Sequence, residues 1–192
     1  MYARDQRRLL ALGEASLEES VGAARSSPLA MRVAIISDTH LPQGQRQLSE
    51  RCLEIVRASD LLLHAGDISA TVALDRLRAL GPPVHAIHGN VDEPDLRRAL
   101  PPTLTLELEG VRVAMLHDAG AARGRLERLR ARFPSAALVV FGHSHLPLRE
   151  AAPDGFQIFN PGSATLRRRA PTRTMGLALI SGGRVTLEHH VV

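Results

Sequence analysis

The sequence predicts an α/β protein in which two β-sheets pack together with helices on the outside. Three observations support this prediction. Buried strands alternate with helices from residue 31 to residue 100, which is typical of a parallel sheet. Two alternating strands meet at Glu109-Gly110, which is a hairpin signal. After one more helix, four further strand patterns complete the chain.

In the first half, the short apolar runs "RVAIIS", "LLLHAGD" and "VHAIHGN" predict buried strands at 32–37, 61–67 and 84–90. Between them, residues 45–59 place Leu48, Cys52, Ile55 and Val56 at helical spacing. A second helix is predicted over 70–80, because Gly81-Pro82-Pro83 stops it. A short helix is predicted over 93–100.

In the second half, "TLTLELEG" and "VRVAMLH" alternate over 103–110 and 111–117 and predict the two hairpin strands. Residues 121–133 predict a helix with Leu126, Leu129 and Phe133 facing inward. The remaining strands are predicted over 136–145, 156–163, 174–180 and 183–191.

Composition limits the class of protein. The chain has 192 residues, of which 44% are hydrophobic, and this suits one domain with a sizeable core. Its 24 basic residues are all arginines spread along the chain, against 20 acids. Because only 3% of residues are aromatic and tryptophan is absent, a base-stacking surface is not expected and nucleic acid is an unlikely partner. The single cysteine, Cys52, excludes an internal disulfide and is expected to be a small buried residue.

The first 30 residues differ from the rest. Met31 opens "MRVAIISDTH", which is typical of a natural start, so residues 1–30 are interpreted as a flexible extension or an overcalled start and 31–192 as the domain. Gly13 and Glu14 interrupt the stretch after "RRLL" that an export signal would need to be apolar. No apolar run is long enough to cross a membrane, and we expect a cytoplasmic location.

Polar side chains follow five of the predicted strands. Ligands of open α/β sheets bind at the carboxyl ends of strands, so these side chains are expected at one edge. Singly, each Asp or Asn is explained as a turn former or helix cap, and each His as a packed structural residue. Five together favour a function. They are Asp38 with His40, Asp67, Asn90, His117, and His143 with His145.

These side chains offer oxygen and nitrogen donors without a thiolate, which suits manganese, iron or zinc. Seven donors exceed the needs of one such ion, so two ions that share a carboxylate explain them better. Glycines beside the donors allow the backbone to approach the ions closely.

The ordered set "DTH", "GD", "GN", "H" and "GHSH" resembles the calcineurin-like metallophosphoesterase superfamily. From Asp38, the donors follow at intervals of 29, 23, 27 and 26 residues, to Asp67, Asn90, His117 and His143. The later "NPGS" at 160–163 is similar to the small YfcE-type phosphodiesterase branch. The resemblance covers Met31 to the end of the chain and implies a two-sheet αββα sandwich.

The resemblance also implies roles for the donors. Asp38, His40 and His145 would bind one ion, Asn90, His117 and His143 would bind the second, and Asp67 would bridge them. The ions would be divalent, with manganese favoured and iron, zinc or nickel as alternatives. A hydroxide between them would attack the phosphorus of a phosphoester. The catalytic residues would be Asp67, Asn90, Asp92 and His40, with Asp92 orienting His40. His64 matches no ligand position and is interpreted as a packed histidine, with support of the neighbouring ligands as the alternative because it lies just before the "GD".

One departure from the superfamily pattern bears on the substrate. Many members carry a histidine after the "GN", where it helps to protonate the leaving group, whereas this chain has Val91. Valine cannot transfer a proton, so a phosphodiesterase or phosphatase acting on esters with good leaving groups is predicted. A second departure is Asp118, where many members have glycine, and a substitution there is expected to be tolerated.

Two readings without catalysis stay open. A eukaryotic retromer subunit shares this fold as an assembly protein, so a binding scaffold is one alternative, and a sensor of nucleotides or phosphate is another. The expected partner is a small phosphoester, with a homo-oligomer possible. The run Arg167-Arg168-Arg169 after "NPGS" would either meet a substrate phosphate or form a solvated loop.

Overall fold

A computed structural model describes residues 30–42 and 46–192. The described residues form four helices, α1 (Glu50–Arg57), α2 (Thr71–Arg78), α3 (Pro94–Ala99) and α4 (Arg125–Arg132). They also form ten strands: β1 (Met31–Ile36), β2 (Leu61–His64), β3 (Val84–Ala86), β4 (Thr103–Leu108), β5 (Val111–Leu116), β6 (Leu138–Val140), β7 (Leu148–Ala151), β8 (Gln157–Asn160), β9 (Thr174–Ser181) and β10 (Arg184–Val191).

The strands form two five-stranded sheets, in the orders β10-β9-β1-β2-β3 and β4-β5-β6-β8-β7. Strands β1, β2 and β3 pair in parallel, as the alternation of strands and helices predicts. Strands β4 and β5 form the predicted antiparallel hairpin. Strands β5, β6 and β8 are parallel, so each sheet has a parallel centre whose strands end at the same edge.

The alternation of side chains on β1 builds two layers of core. Val33 and Ile35 are buried between the two sheets, against residues such as Val113 and Phe159. Ala34 and Ile36 point the other way and pack with residues of α1 and α2, among them Cys52. Because successive side chains of a strand alternate in direction, one fully apolar strand supplies both layers.

Strand β5 does the same in the second sheet. Val113 and Met115 face the first sheet, whereas Ala114 and Leu116 pack with Leu129 of α4. The layers are therefore helix, sheet, sheet and helix, which confirms the predicted αββα sandwich. Cys52 is buried as expected, and burial raises the pKa of its thiol to about 12.

Two predicted helices begin later than their sequence patterns suggest. Helix α1 begins at Glu50 because the Ser49 side chain accepts a hydrogen bond from the amide of Cys52 at 3.1 Å, and Arg46 to Leu48 lie outside it. Helix α4 begins at Arg125, after Gly124 in a left-handed conformation. The guanidinium of Arg128 donates to carbonyl groups of the preceding segment, including Ala121, and so stabilises a loop where a helix was predicted.

Strand β7 was not predicted from the sequence. Its residues, "LREA", contain no β-branched or aromatic side chain, and their burial alternates between half-buried and exposed. Antiparallel pairing with β8 makes this segment an edge strand. The two strands are neighbours in sequence, but the first of them lacks a strand pattern, so only the structure reveals their pairing.

The predicted extension over residues 1–30 lies outside the described residues except for Ala30. The division of the chain at Met31 therefore stays a prediction. None of the helices in the described part of the chain has the length and apolar character that a membrane crossing requires.

Candidate metal centre

The seven predicted donors lie where the parallel strands of both sheets end. Asp38 and His40 follow β1, Asp67 follows β2, and Asn90 follows β3. In the second sheet, His117 follows β5, and the loop after β6 carries the remaining two donors, His143 and His145. The structure brings all of them to adjoining edges of the two sheets.

Asp38, His40 and His145 form the first group of donors. One ligand atom from each lies within 4.8 Å of the others, and all three side chains are buried. The Nε2 atom of His145 lies 3.3 Å from Oδ1 of Asp38 and 3.2 Å from Nε2 of His40. The two imidazole rings stack with their centroids 5.1 Å apart. This is the group to which the family resemblance assigns the first ion.

Asn90, His117 and His143 lie together as the second group. Oδ1 of Asn90 lies 3.0 Å from Nδ1 of His143, and the rings of His117 and His143 meet edge to face at 5.3 Å. Asn90 and His143 are exposed, whereas His117 is buried. The second group therefore lies on the solvent side of the site, where a substrate can reach it.

Asp67 lies between the two groups. Its Oδ2 atom is 3.2 Å from Nε2 of His117 and 3.9 Å from Nε2 of His40. A single carboxylate oxygen thus faces a histidine of each group, which is the arrangement that a bridging ligand requires. Asp38 is close to both groups too, since it also lies within 4.8 Å of Asp67 and His117.

Two backbone carbonyl groups orient the imidazole rings. Nδ1 of His117 donates to the carbonyl of Ala65 at 2.8 Å, and Nδ1 of His145 donates to the carbonyl of Leu166 at 3.1 Å. A carbonyl only accepts, so both rings carry their hydrogen on Nδ1 and present an unprotonated Nε2 when neutral. Nε2 of His117 is buried and lies 3.2 Å from Oδ2 of Asp67 without a well-formed hydrogen bond, so the two atoms face each other as candidate ligands of one ion.

The backbone at the site is held in an uncommon conformation. Five of the seven donors have positive φ, namely Asp38, His40, Asp67, His143 and His145, with values from 48° to 68°. This left-handed region costs a residue other than glycine roughly 1–2 kcal/mol. Such strain persists where the surrounding contacts impose it, and it concentrates at functional sites. His143 and His145 adopt this conformation beyond the end of β6, which is why that strand does not extend to residue 145 as its pattern predicts.

Burial and neighbouring charges shift the pKa values in opposite directions. Burial raises the pKa of Asp38 to about 7. Burial also opposes the ionisation of Asp67, but contact with His117 outweighs it and the pKa of Asp67 falls to about 2. For His117, burial is outweighed by Asp67 and Asp38, which raise its pKa to about 9. Burial lowers the pKa of His145 to about 4. The carboxylates thus attract positive charge into a buried site.

Gly89 and Gly142 make room for the donors. A Cβ atom on Gly89 would lie 2.0 Å from Oδ1 of Asp67, and one on Gly142 would lie 2.7 Å from Oδ2 of Asp38. Glycine is therefore required at both positions because the backbone packs directly against a carboxylate. The expectation that glycines beside the donors let the backbone approach the ions stays a prediction, since what the structure shows is close packing against the carboxylates.

Asp92 does not have the contact that was predicted for it. Its carboxylate accepts hydrogen bonds from the backbone amides of Asp67, Ser69 and Gly89, at 3.2, 2.6 and 2.7 Å. None of these bonds goes to His40, so the prediction that Asp92 orients His40 is wrong. The reason is local, because the loop after β3 folds back and turns the buried carboxylate toward the amides of the loop after β2. Asp92 therefore holds two donor loops together.

The "NPGS" segment has a role that the sequence did not reveal. The side-chain amide of Asn160 donates to the carbonyl of Gly142 at 2.8 Å, and the hydroxyl of Ser163 donates to the carbonyl of Asp38 at 2.7 Å. Both bonds are buried, and together they tie this segment to one donor loop of each sheet. His64 is fully buried with Nε2 2.9 Å from the hydroxyl of Thr39, which confirms it as a packed histidine.

Comparison with known families identifies this arrangement. The sequence profile of the calcineurin-like phosphoesterase superfamily domain matches residues 31–183. The chain belongs to the calcineurin-like phosphoesterase superfamily. Members of the superfamily named as metallophosphoesterases are similar along most of the chain. A protein of Methanothermobacter thermautotrophicus named "Probable metallophosphoesterase" is 31% identical over 151 residues, which are 78% of this chain and 86% of that protein.

Solved structures show the superfamily fold as well. Vps29 from Entamoeba histolytica, crystallised with Zn²⁺, matches with a TM-score of 0.68 at 21% identity and covers 84% of this chain and 99% of its own. A structure described as a novel archaeal phosphodiesterase matches with a TM-score of 0.63 at 18% identity, over 83% of this chain and 100% of its own. At these identities the two likenesses show the fold alone.

Proposed function

We propose that this protein is a hydrolase of phosphoesters that depends on two divalent metal ions, with phosphodiesters carrying good leaving groups as its preferred substrates. The main support for this proposal is the position of Asp67. One of its carboxylate oxygens, Oδ2, faces a histidine nitrogen from each of the two donor groups. Membership of the superfamily supports the reaction type.

The donors suit the ions that the proposal requires. Asp38, His40 and His145 would hold one ion, Asn90, His117 and His143 the other, and Asp67 both. All are oxygen or nitrogen donors, which favours manganese, with iron, zinc and nickel as alternatives. The buried Nε2 of His117 and Oδ2 of Asp67 lie 3.2 Å apart without a well-formed hydrogen bond, which supports a site built for a cation.

When bound, the ions supply an activated water molecule and neutralise charge on the phosphoryl oxygens. The protein supplies the orientation. The carbonyls of Ala65 and Leu166 hold two imidazole rings in place, and the hydroxyl of Ser163 holds the loop of Asp38. Asp92 holds the loops that carry Asp67 and Asn90. These contacts position the donors before an ion arrives, which lowers the cost of binding it.

Val91 supports the preference for good leaving groups. Its side chain is 46% exposed beside Asn90, and its amide donates to Oδ1 of Asp67 at 3.1 Å. An apolar group therefore occupies a position at the mouth of the site from which a histidine could donate a proton. A leaving group of low basicity, such as p-nitrophenolate, departs without that proton.

Val91→His is expected to raise kcat/KM for phosphodiesters with alkyl leaving groups by about 10-fold or more. The reason is that proton transfer to a leaving group contributes typically 10²–10⁴-fold. The effect on bis-p-nitrophenyl phosphate should be less than about 3-fold, since its leaving group needs little help. Val91→Leu is the control for a change of size. Equal effects on both esters, or a loss on the alkyl ester in a folded variant, would contradict the assignment.

A binding scaffold is the second candidate, because Vps29 shares the fold. That neighbour was crystallised with Zn²⁺, so metal binding alone does not distinguish a scaffold from an enzyme. Hydrolysis of a phosphoester distinguishes them, because a scaffold would not turn over substrate. A sensor that binds a nucleotide or phosphate without hydrolysis is separated in the same way.

The test is metal analysis of the purified protein followed by a panel of phosphoesters with Mn²⁺, Ni²⁺ and Zn²⁺, including cyclic nucleotides. We expect about two ions per chain and hydrolysis of bis-p-nitrophenyl phosphate that is lost with EDTA and restored by Mn²⁺. Bound metal without turnover of any ester would favour the scaffold or the sensor over the proposed enzyme.

A further inference from the structure

The end of "NPGS" and the residues that follow it bind directly to the first donor group. The hydroxyl of Ser163 binds the carbonyl of Asp38, and the hydroxyl of Thr165 donates to the carbonyl of Thr39 at 2.7 Å. The carbonyl of Leu166 accepts from Nδ1 of His145 at 3.1 Å. The arginine run begins at the next residue, so its start is held beside the metal centre.

Beyond these contacts the surface forms a groove of two adjoining parts, about 600 and 700 Å³ in volume. Both parts are lined by Thr165 and Arg173 and so continue into each other. We call the whole the basic groove, because Arg46, Arg167, Arg168 and Arg173 line it. Among the described lining residues Glu50 is the single acid, and Arg57 binds it at 2.8 Å.

Two residues that line the basic groove also bind the first donor group. The hydroxyl of Thr165 donates to the carbonyl of Thr39, which lies between Asp38 and His40. The carbonyl of Leu166 accepts from Nδ1 of His145. Arg168 has a positive φ of 46°, so the loop turns at this residue. The contacts of Thr165 and Leu166 place the basic groove next to the first donor group.

We propose that the basic groove binds a second phosphate group of the substrate while the ester to be cleaved lies at the metal centre. Arginine presents a planar set of donors that matches phosphate oxygens, and several arginines with little opposing acid suit a doubly charged group. The volume also suits a phosphate with a sugar attached. This inference rests on the proposed function and adds its substrate class, namely phosphodiesters that carry a further phosphate, such as phosphorylated nucleotide esters.

The kinetic test uses two substrates that differ by one phosphate. Thymidine 5′-(p-nitrophenyl phosphate) and its 3′-phosphorylated form release the same coloured product. We expect kcat/KM of the wild type to be about 10-fold higher for the 3′-phosphorylated ester, as one charge-assisted contact is worth roughly 1.4 kcal/mol or more. In R168Q the ratio should fall to about 2 or less.

R169Q is the matched control, because Arg169 is exposed in the same run but does not line the basic groove. We expect it to keep the ratio of the wild type. A ratio near one in the wild type, or equal ratios in R168Q and R169Q, would overturn the inference.

A binding measurement separates this inference from the proposed function. Pyrophosphate is titrated calorimetrically into metal-free protein in EDTA, where no hydrolysis is needed. We expect the dissociation constant to be about 5–10-fold weaker in R168Q than in R169Q, since one arginine contact is lost. Citrate at the same ionic strength should bind more weakly than pyrophosphate. Equal dissociation constants for pyrophosphate in both variants would contradict the proposal that the basic groove binds phosphate. Citrate binding as tight as that of pyrophosphate would contradict the proposed preference for phosphate. Failure of the proposed function would instead appear as the absence of metal-stimulated hydrolysis.

Discussion

Replacement of Asp67 by asparagine is expected to lower metal-stimulated hydrolysis of bis-p-nitrophenyl phosphate by about 10³-fold or more. Oδ2 of Asp67 faces His117 at 3.2 Å and His40 at 3.9 Å, so this one oxygen would contact both ions. Asparagine keeps the size and an acceptor for the amide of Val91, but it removes the charge that neutralises the two dications. A 10³-fold loss corresponds to about 4 kcal/mol of transition-state stabilisation.

Asp118→Asn is the matched control for this substitution. The carboxylate of Asp118 is exposed, follows His117 directly, and accepts from the amide of Gly120 at 2.7 Å, a role that asparagine retains. We expect it to alter kcat/KM by less than about 3-fold, because the residue takes no part in the donor groups. Metal content should fall in Asp67→Asn and stay constant in Asp118→Asn. If Asp67→Asn retains metal-stimulated hydrolysis, the proposed function is wrong.

Asp92→Ala is expected to destabilise the protein by about 3 kcal/mol or more, although residue 92 would not contact an ion. The substitution deprives the amides of Asp67, Ser69 and Gly89 of a buried carboxylate acceptor. Hydrogen bonds to charged groups are worth more than neutral ones, and buried donors without a partner are costly. For a domain of this size the melting temperature should fall by about 6–12 °C. Metal affinity should also fall, by about 10–100-fold, because two donor loops lose their support.

Asp95→Ala provides the comparison, since Asp95 lies three residues further along and pairs with Arg98 at the surface. Exposed pairs contribute about 0–1 kcal/mol, so we expect a change of less than about 4 °C. Asp92→Asn should fall between the two, because its amide keeps one acceptor oxygen. Calorimetric scans and metal titration measure these effects. Melting temperatures of Asp92→Ala and Asp95→Ala within 2 °C of each other would contradict the role assigned to Asp92.

The fold was predictable from short-range patterns wherever apolar side chains occupy both faces of a strand. "RVAIIS" is apolar without interruption, and in the structure β1 is buried between the second sheet and the helices α1 and α2. The edge strand β7 carries no such pattern, so its existence depends on hydrogen bonds to β8. The starts of α1 and α4 depend on side chains that bind the backbone, Ser49 and Arg128, which periodicity does not report.

The candidate donors were predictable because polar residues after parallel strands share an edge of the sheet. The side chains that hold the donor loops in place were not predictable. Asp92 and Ser163 act on backbone groups of loops that are distant in sequence, at separations of 25 and 125 residues for the amide of Asp67 and the carbonyl of Asp38. A side chain that binds a distant backbone group leaves no spacing by which it can be recognised.

By itself, the sequence determined the layers of the fold and the identity and order of the seven candidate donors, because both follow from periodicity and from where each strand ends. Only the tertiary structure decided how the donors meet. It set one oxygen of Asp67 between His40 and His117, turned Asp92 toward the backbone, and placed the arginines after "NPGS" in a groove beside the site. The physical reason is that these relations depend on loops from two separate sheets being held together by buried hydrogen bonds, and such contacts form only when the sheets pack.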